Sequence, residues 1–157
     1  VKLAQEELMQ VCETHSVNVS EFMSIRRRGS VQHLASRVTG QLDNSKNVWH
    51  AFATLFPAVT ASGIPKRPSI EAIQRLEPDN RLWYSGSVMI IDENGFMDAA
   101  LVLRSIYRHQ NKVWLQAGAG VIDQSTPERE LTETIEKLSC IGNYLVAEES
   151  ATNTEKC

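Results

Sequence analysis

The feature that most constrains the fold is a stretch of β-forming residues that runs from position 82 to position 122. Three segments, residues 82–92, 96–109 and 113–122, are rich in branched and aromatic side chains. Glu93-Asn94-Gly95 lies between the first two and supplies the residue types that a tight reversal of the chain requires. The pattern predicts three adjacent antiparallel strands.

A second pair of strands is predicted nearer the start of the chain. Residues 16–25 and 31–42 carry β-forming side chains, and the basic residues 26–29 are expected to form the turn between them. Before this pair, apolar residues at helical spacing predict a helix over residues 2–13.

Two helices are predicted between the strand regions. The first begins near Asn44 or Ser45, which are residue types that cap helices. A proline-rich loop is expected at residues 57–68, and a short helix is expected at residues 69–77.

The last predicted helix begins at Ser125 or Thr126 and runs to about residue 141. Pro127 suits its first position, and Ser125 with Glu128 has the spacing of a capping box. The fold class predicted from these elements is α+β, with a largely antiparallel sheet and flanking helices.

The size and composition suit a single globular domain. We assign residues 1–147 to that domain and expect residues 148–157 to be a polar, flexible tail. The net charge of −3 gives no reason to expect nucleic acid or an anionic membrane as a partner. Since the chain begins at Val1 inside a predicted helix, we expect an upstream part of the protein.

The cysteines indicate the compartment. Cys12, Cys140 and Cys157 are odd in number and have no CxxC spacing, which argues against a disulfide framework or a zinc site. No apolar run approaches the ~20 residues of a membrane helix, and no signal-peptide pattern opens the chain. A reducing, cytoplasmic location is therefore expected.

Two carboxylates on the last helix are candidate metal ligands. Glu130 and Glu133 lie three positions apart and share a helix face, and Lys137 is one turn beyond Glu133. Carboxylate oxygens suit Mg²⁺. From spacing alone the commoner explanation is a solvated face, where acidic residues near the helix start and Glu–Lys pairs are ordinary.

Small residues lie at the end of the third predicted strand of the β-rich stretch. Gly118 and Gly120 would let the backbone approach a ligand and present N–H groups to a carboxylate. A bulge or a tight sheet crossing explains such glycines equally well.

Arg104 and Tyr84 are candidate ligands of an anion. Arg104 follows an apolar run, and a buried guanidinium would need an anionic partner such as a carboxylate. A position on the solvent face of the sheet is the alternative. Thr60 lies in the proline-rich loop, which is either a polar pocket wall or a plain connector, and His33 is a lone histidine in a strand, where most are structural.

The order of these segments resembles salicylate synthases, the siderophore branch of the chorismate-utilising enzyme family. The resembling segments span nearly all of residues 13–145. They are RGSVQHL at residues 28–34, FPAVTASGIPK at 56–66, LYSG at 82–86 with Trp83 inserted, DAALVLR at 98–104, AGAGI at 117–122 and STPERELxETxEK at 125–137.

The resemblance implies a fold like that of anthranilate synthase component I and the conversion of chorismate, through isochorismate, to salicylate and pyruvate. It implies that Glu130 and Glu133 bind Mg²⁺ and that Tyr84 and Arg104 hold the enolpyruvyl carboxylate. It also implies that Lys137 acts at the metal and carboxylate end of the substrate.

By the same resemblance, Gly120, with Gly118 nearby, donates backbone N–H groups to the substrate. His33 and Thr60 line the ring and influence the elimination of pyruvate. These two are the residues that the resemblance identifies as catalytic.

The resemblance covers about the C-terminal third of a full-length enzyme. The family's base and acid, a lysine and a glutamate, and its other metal-binding glutamates lie upstream. We therefore expect no turnover from these 157 residues alone and a missing N-terminal part as partner. Since an incomplete sheet would expose strand edges and apolar surface, we also expect the chain to self-associate.

Other functions remain open at this stage. An isochorismate synthase stops at isochorismate, whereas an anthranilate synthase-type enzyme uses ammonia. Thr60 favours the salicylate type, because enzymes that stop at isochorismate tend to carry alanine there. A non-catalytic chorismate-binding or assembly module is a third alternative.

Overall fold

A computed structural model describes residues 1–28 and 31–146 of the chain. The chain divides into two compact units: residues 1–80 with 85–101, and residues 81–84 with the chain from Val102 onward. The first unit contains α1 (Lys2–Leu8), β1 (Asn18–Arg28), β2 (Val31–Thr39), α2 (Val48–Leu55), α3 (Val59–Ser62), α4 (Lys66–Leu76), β3 (Ser87–Ile91) and β4 (Met97–Leu101). The second unit contains β5 (Ile106–His109), β6 (Lys112–Leu115) and α5 (Pro127–Gly142).

β1 and β2 form an antiparallel hairpin, as predicted. The predicted basic turn is wrong in its position, because Arg26 pairs with His33 and Arg28 with Val31 inside the ladder. Arg26 also donates to both carboxylate oxygens of Glu21, at 2.6 and 2.7 Å, which ties the arginine to its own strand. The connection itself, residues 29–30, and the tail predicted at residues 148–157 lie outside the described residues.

α2 begins later than predicted. Its N-cap is Asn47, whose side chain accepts from the N–H groups of Trp49 and His50, while His50 Nδ1 accepts from the Asn47 N–H at 3.1 Å. This reciprocal pair satisfies N–H groups that have no partner within the helix. Ser45 instead donates to the side chain of Asp43 in the preceding turn.

The proline-rich segment is more helical than predicted. The predicted loop contains α3 and the first turn of α4, which begins at Lys66. Pro68 is compatible with that first turn because the N–H groups there have no carbonyl partner in the helix. Gly63, with φ +102°, ends α3 in a conformation that favours glycine.

The strands after residue 82 differ from the predicted arrangement. β3 pairs with β4 and β5 pairs with β6, both antiparallel, so the described residues contain two-stranded sheets rather than three contiguous strands. The predicted long strand 96–109 is interrupted because Arg104 takes a left-handed φ of +50° between β4 and β5. The turn at Gly95 (φ +84°) and the α+β class are confirmed.

α5 begins where the sequence predicts and has Pro127 in its first turn. The predicted capping box is wrong. Ser125 Oγ accepts from the Ile122 N–H at 3.0 Å, and the N-cap residue Thr126 makes no side-chain capping bond. The Ser125 hydroxyl thus closes the preceding turn and leaves the first turn of the helix uncapped.

Few apolar side chains are fully buried. Among the described residues, only two hydrophobic side chains are buried: Val11 in the first unit and Tyr107 in the second. The first unit also contains an open, mainly apolar cavity of about 480 Å³, whose lining includes Leu8, Phe52 and Leu101. Within the described ranges, no helix is long and apolar enough to span a membrane.

Candidate functional site

The second unit holds most of the predicted site residues. Those residues are Tyr84, Arg104, Gly118, Gly120, Glu130, Glu133 and Lys137. The first unit holds the other two. His33 lies in β2, where its side chain is outside the described part of the structure, and Thr60 is exposed in α3.

Lys137 links the glycine segment to α5. Its Nζ donates to the Gly118 carbonyl oxygen at 2.9 Å and lies 2.6 Å from Glu133 Oε1. The helix places these two side chains on one face, since they are four residues apart. The hydrogen bond and the charge of Lys137 hold the pKa of Glu133 below its usual range, so this carboxylate stays ionised in moderately acidic solution.

The two candidate metal ligands differ in environment. Glu130 is half-buried and Glu133 is exposed, and Glu133 is already paired with Lys137. Two carboxylates suit Mg²⁺, which commonly takes one or two from the protein and the rest of its ligands from water or substrate. Among the described residues no group of three or more His, Cys, Asp or Glu side chains is placed to hold a metal. The pair therefore fits part of a magnesium site.

Gly118 lies against Tyr84. A Cβ at position 118 would be 3.2 Å from Tyr84 Oη, which is tighter than ordinary van der Waals contact. A Cβ at Gly120 would meet nothing within 4 Å. Of the two candidate glycines, only Gly118 lies where an added Cβ would crowd a neighbouring side chain.

The backbone has an unusual conformation near Tyr84 and at Arg104. Leu82, two residues before Tyr84, has φ +51°, and Arg104 itself has φ +50°. Such left-handed conformations cost about 1–2 kcal/mol for residues other than glycine and often occur at functional sites. Tyr84 is half-buried, with the Arg81 guanidinium 5.9 Å from its ring centroid, whereas Arg104 is exposed.

The sequence patterns miss an aromatic cluster in the second unit. Trp83 stacks on Trp114 at a centroid distance of 6.1 Å, and Tyr107 stacks on Trp114 at 5.6 Å. Tyr107 and Trp114 are direct partners across β5 and β6. The sequence would reveal the cluster through this cross-strand pair only if the register of the hairpin were known.

Tyr107 is the buried centre of the cluster. Its side chain is 4% exposed, and its hydroxyl has no hydrogen-bond partner among the described residues. Burial raises the pKa of the Tyr107 phenol, and a smaller coulombic effect of Tyr84 acts in the same direction. The phenol is therefore neutral over the physiological range.

Lys66, the lysine of the predicted proline-rich loop, makes contacts that the sequence patterns do not predict. Its Nζ lies 2.6 Å from Glu7 Oε1 and donates to the carbonyl oxygens of Thr54 and Leu55, at 3.2 and 3.4 Å. These carbonyls belong to the last turn of α2, where no partner is available within the helix. Lys66 thus ties α1 and α2 to the segment that carries Thr60.

Comparison with known proteins identifies the family. Residues 1–143 match the family of chorismate binding enzymes, so the chain belongs to that family.

The chain is similar to enzymes of more than one specificity. It is 50% identical over 147 residues to the salicylate synthase of Mycolicibacterium paratuberculosis, covering 94% of this chain and 33% of the relative. It is 39% identical over 145 residues to anthranilate synthase component 1 of Spirochaeta aurantia, covering 92% and 30%. The chain thus spans about a third of the length of these relatives.

A solved structure gives the same family fold. The crystal structure of anthranilate synthase component I from Streptococcus pneumoniae superposes on the chain with a TM-score of 0.84 and 32% sequence identity. The superposition covers 88% of this chain and 32% of the neighbour. The predicted likeness to the fold of anthranilate synthase component I is confirmed.

Proposed function

We propose that the chain is the substrate-binding part of a Mg²⁺-dependent salicylate synthase, which converts chorismate through isochorismate to salicylate and pyruvate. The observation that carries the proposal is the Tyr84–Gly118–Lys137–Glu133 arrangement, which brings a phenol, a lysine and a carboxylate to one glycine segment. The 50% identity to a salicylate synthase supports the choice of product.

Each polar group has a role in holding a dianionic substrate. Tyr84 and Arg104 are proposed to bind the enolpyruvyl carboxylate, because a guanidinium and a phenol both donate to carboxylate oxygens. The backbone N–H groups at Gly118 and Gly120 are proposed as further donors. Lys137 would neutralise charge at the ring carboxylate.

Glu130 and Glu133 are proposed to hold Mg²⁺. The bound metal would supply charge neutralisation for the ring carboxylate and the departing hydroxyl. Lys137 keeps Glu133 ionised, which leaves its oxygens available as hard ligands.

His33 and Thr60 are proposed to act on the elimination of pyruvate from isochorismate. Exposure of Thr60 supports its availability to a ligand. Lys66 is proposed to hold the Thr60 segment in place through its contacts with Glu7 and α2.

The rest of the enzyme is proposed as the partner of this chain. The relatives are about three times as long, and the base and acid for hydroxyl exchange are proposed to come from outside these residues. Residues 1–147 would then act as one module of a cytoplasmic enzyme and would not turn over chorismate unaided.

A chimera tests the proposal. Residues 1–147 of this chain replace the matched segment of the M. paratuberculosis salicylate synthase, and salicylate fluorescence is followed with chorismate and Mg²⁺. We expect salicylate from the chimera, none from the 157-residue chain alone, and a loss of at least about 100-fold with Arg104→Gln in the chimera. Salicylate made by the isolated chain would contradict the proposed division of labour.

An anthranilate synthase-type activity is the second candidate, because the 39% identical relative is an anthranilate synthase component 1. Chromatography of the chimera's products with and without ammonia separates the candidates. Anthranilate formed only with ammonia would favour the second, and isochorismate accumulating without salicylate would favour an isochorismate synthase.

A further inference from the structure

The helix that carries Thr60, α3, is too short to be stable by itself. It contains only four residues, Val59–Ser62. The first turn of a helix costs more conformational entropy than its hydrogen bonds return, so a helix of one turn does not persist alone. Ala58, the N-cap residue, makes no side-chain capping bond that would offset this cost. Contacts of other side chains therefore hold α3 in its helical form.

Ser62 lies on the buried side of α3. It is 8% exposed, and it is the one buried polar residue among those that the structure describes. Its Oγ donates to the Ala58 carbonyl oxygen at 3.1 Å, and its backbone N–H donates to the same oxygen at 3.1 Å. A buried hydroxyl is costly unless it is hydrogen-bonded. The bond to Ala58 therefore fixes the Ser62 side chain and ties the end of α3 to its start.

Thr60 lies on the opposite side of α3 from Ser62. Residues two positions apart in a helix are separated by about 200° around its axis. The burial of α3 follows this geometry, since Thr60 is exposed while Val59 and Ala61 are half-buried. Ser62 is thus the centre of the inward face, and Thr60 is the centre of the outward face. The rotation of α3 that buries Ser62 is the rotation that directs Thr60 outward.

The exit from α3 is fixed as well. Gly63 ends the helix with φ +102°, and its N–H donates to the Val59 carbonyl oxygen at 2.7 Å. A Cβ at position 63 would be 2.8 Å from Ser69 Oγ, so the chain leaves α3 in close contact with α4. This contact sets where α3 ends, and the bond of Ser62 sets how the helix is turned about its own axis.

We propose that Ser62 is a positioning residue for Thr60: its buried bond to the Ala58 carbonyl oxygen holds α3 so that Thr60 faces the ligand. The direction of Thr60 then sets the proportion of isochorismate that goes on to lose pyruvate. That elimination breaks the ether bond between the ring and the enolpyruvyl group and moves one ring hydrogen to the pyruvate, so it needs no further reactant. This inference rests on the proposed role of Thr60. It makes Ser62 a determinant of the product without contact with the substrate.

The first test needs no ligand and compares two variants of equal size. Ser62→Thr keeps the hydroxyl, whereas Ser62→Val has a methyl group in its place. In the 157-residue chain, amide exchange at Gly63 followed by NMR should be about fivefold faster in Ser62→Val than in Ser62→Thr, the factor that one net hydrogen bond supplies. The matched control is Thr54→Val, which removes a similar bond to the His50 carbonyl oxygen in α2 and should leave Gly63 unchanged. Equal exchange in the two Ser62 variants would overturn the inference.

The second test measures the ratio of isochorismate to salicylate made by the chimera from chorismate and Mg²⁺, by chromatography. We expect Ser62→Val to raise this ratio about fivefold and Ser62→Thr and Thr54→Val to leave it near the wild-type value. A purely structural residue would lower both products together and leave their ratio unchanged. Ser62→Ala removes the hydroxyl without adding volume, so it replaces Ser62→Val if that variant does not fold, and it should shift the ratio in the same direction.

Thr60→Val in the chimera separates this inference from the proposed function. Ser62→Val should have no further effect on the ratio when Thr60→Val is already present, because Ser62 acts through Thr60. Effects of the two substitutions that multiply would overturn the inference alone, as would an unchanged ratio in Ser62→Val when Thr60→Val shifts it. No shift with Thr60→Val, or no salicylate from the chimera, would overturn the proposed role of Thr60 and this inference with it.

Discussion

At the scale of single residues, two features determine the local geometry of the candidate site. One is the close approach between Gly118 and Tyr84, and the other is the pair of bonds that Lys137 makes. Gly118 allows the phenol to approach the backbone, and Lys137 fixes the carbonyl of the same glycine. The positions of Tyr84 and Glu133 thus both depend on this one short segment, which leads to two predictions.

Gly118→Ala should destabilise the chain by about 1–2 kcal/mol, because the new Cβ would press against Tyr84 Oη at 3.2 Å. The measurement is chemical denaturation followed by circular dichroism. Gly120→Ala is the matched control, since its Cβ meets nothing within 4 Å, and its stability should equal that of wild type. Equal losses from both substitutions would contradict the close contact.

Lys137→Met should raise the pKa of Glu133 toward the usual value for glutamate, because the hydrogen bond and positive charge that lower it are removed. A folded-state pKa below the unfolded value means that the pair stabilises the wild-type protein above the unfolded pKa. That stabilisation is lost as the pH falls through the folded value.

Side-chain ¹³C NMR titration of Glu133 measures the change in its pKa. The unfolding midpoint, measured from about pH 3 to about pH 7 to span glutamate ionisation, should also depend less on pH in the variant. Glu21 is the internal control: its pKa is held low by Arg26 in the first unit and should not change. A Glu133 titration identical in wild type and Lys137→Met would contradict the assignment.

At the scale of elements, Lys66 joins three helices. Its ammonium group contacts Glu7 in α1 and the last carbonyls of α2, while its own residue begins α4. Both side chains of the ion pair are largely covered, at 23% and 16% exposed. The interaction is therefore less screened by water than a surface pair.

Lys66→Met should lower the free energy of unfolding by about 1–3 kcal/mol, because hydrogen bonds from a charged donor are lost and Glu7 is left unpaired. The matched control is Arg67→Met. Arg67 pairs with Glu71 on the same helix, with side chains 92% and 61% exposed, and its loss should cost about 0.5 kcal/mol or less. Urea denaturation measures both, and equal effects would argue against a special role for Lys66.

At the scale of the whole molecule, a large amount of apolar surface is exposed. Val88 and Ile90 of β3 are 61% and 70% exposed, and β3 and β4 each have one edge without a strand partner among the described residues. Apolar side chains beside open strand edges promote association between chains.

The chain should therefore self-associate in a concentration-dependent way, as detected by sedimentation velocity. Ile90→Lys should shift the distribution toward monomer, because it places a charge beside the open edge. Leu76→Lys is the control, since Leu76 is similarly exposed but ends a helix. A chain that is monomeric at all concentrations would contradict this expectation.

Sequence patterns predict the local features of this molecule better than its long-range ones. The turn at Gly95 and the start of α5 at Pro127 follow from residue types at single positions. The break at Arg104 could not be predicted, because nothing in an apolar run indicates a left-handed arginine. The contact of Lys66 with Glu7 joins residues far apart in the chain, so no local pattern reveals it.

The same reasoning applies to the candidate site. The spacing of Glu133 and Lys137 on one helix predicts their pairing, and the structure has that ion pair. The bond from Lys137 to Gly118 depends on how the glycine segment meets α5, which spacing does not determine. The functional roles of these residues stay predictions.

The stacked indoles of Trp83 and Trp114 have a practical consequence. Two indoles with centroids 6.1 Å apart are close enough for their transition dipoles to couple, and an exciton signal in circular dichroism would belong to the second unit. Trp49 in α2 is the one tryptophan of the first unit. The chain thus carries a separate intrinsic chromophore in each unit. If the exciton signal is lost at a different denaturant concentration from the change in Trp49 fluorescence, the two units unfold independently. If the two transitions coincide, the molecule unfolds cooperatively.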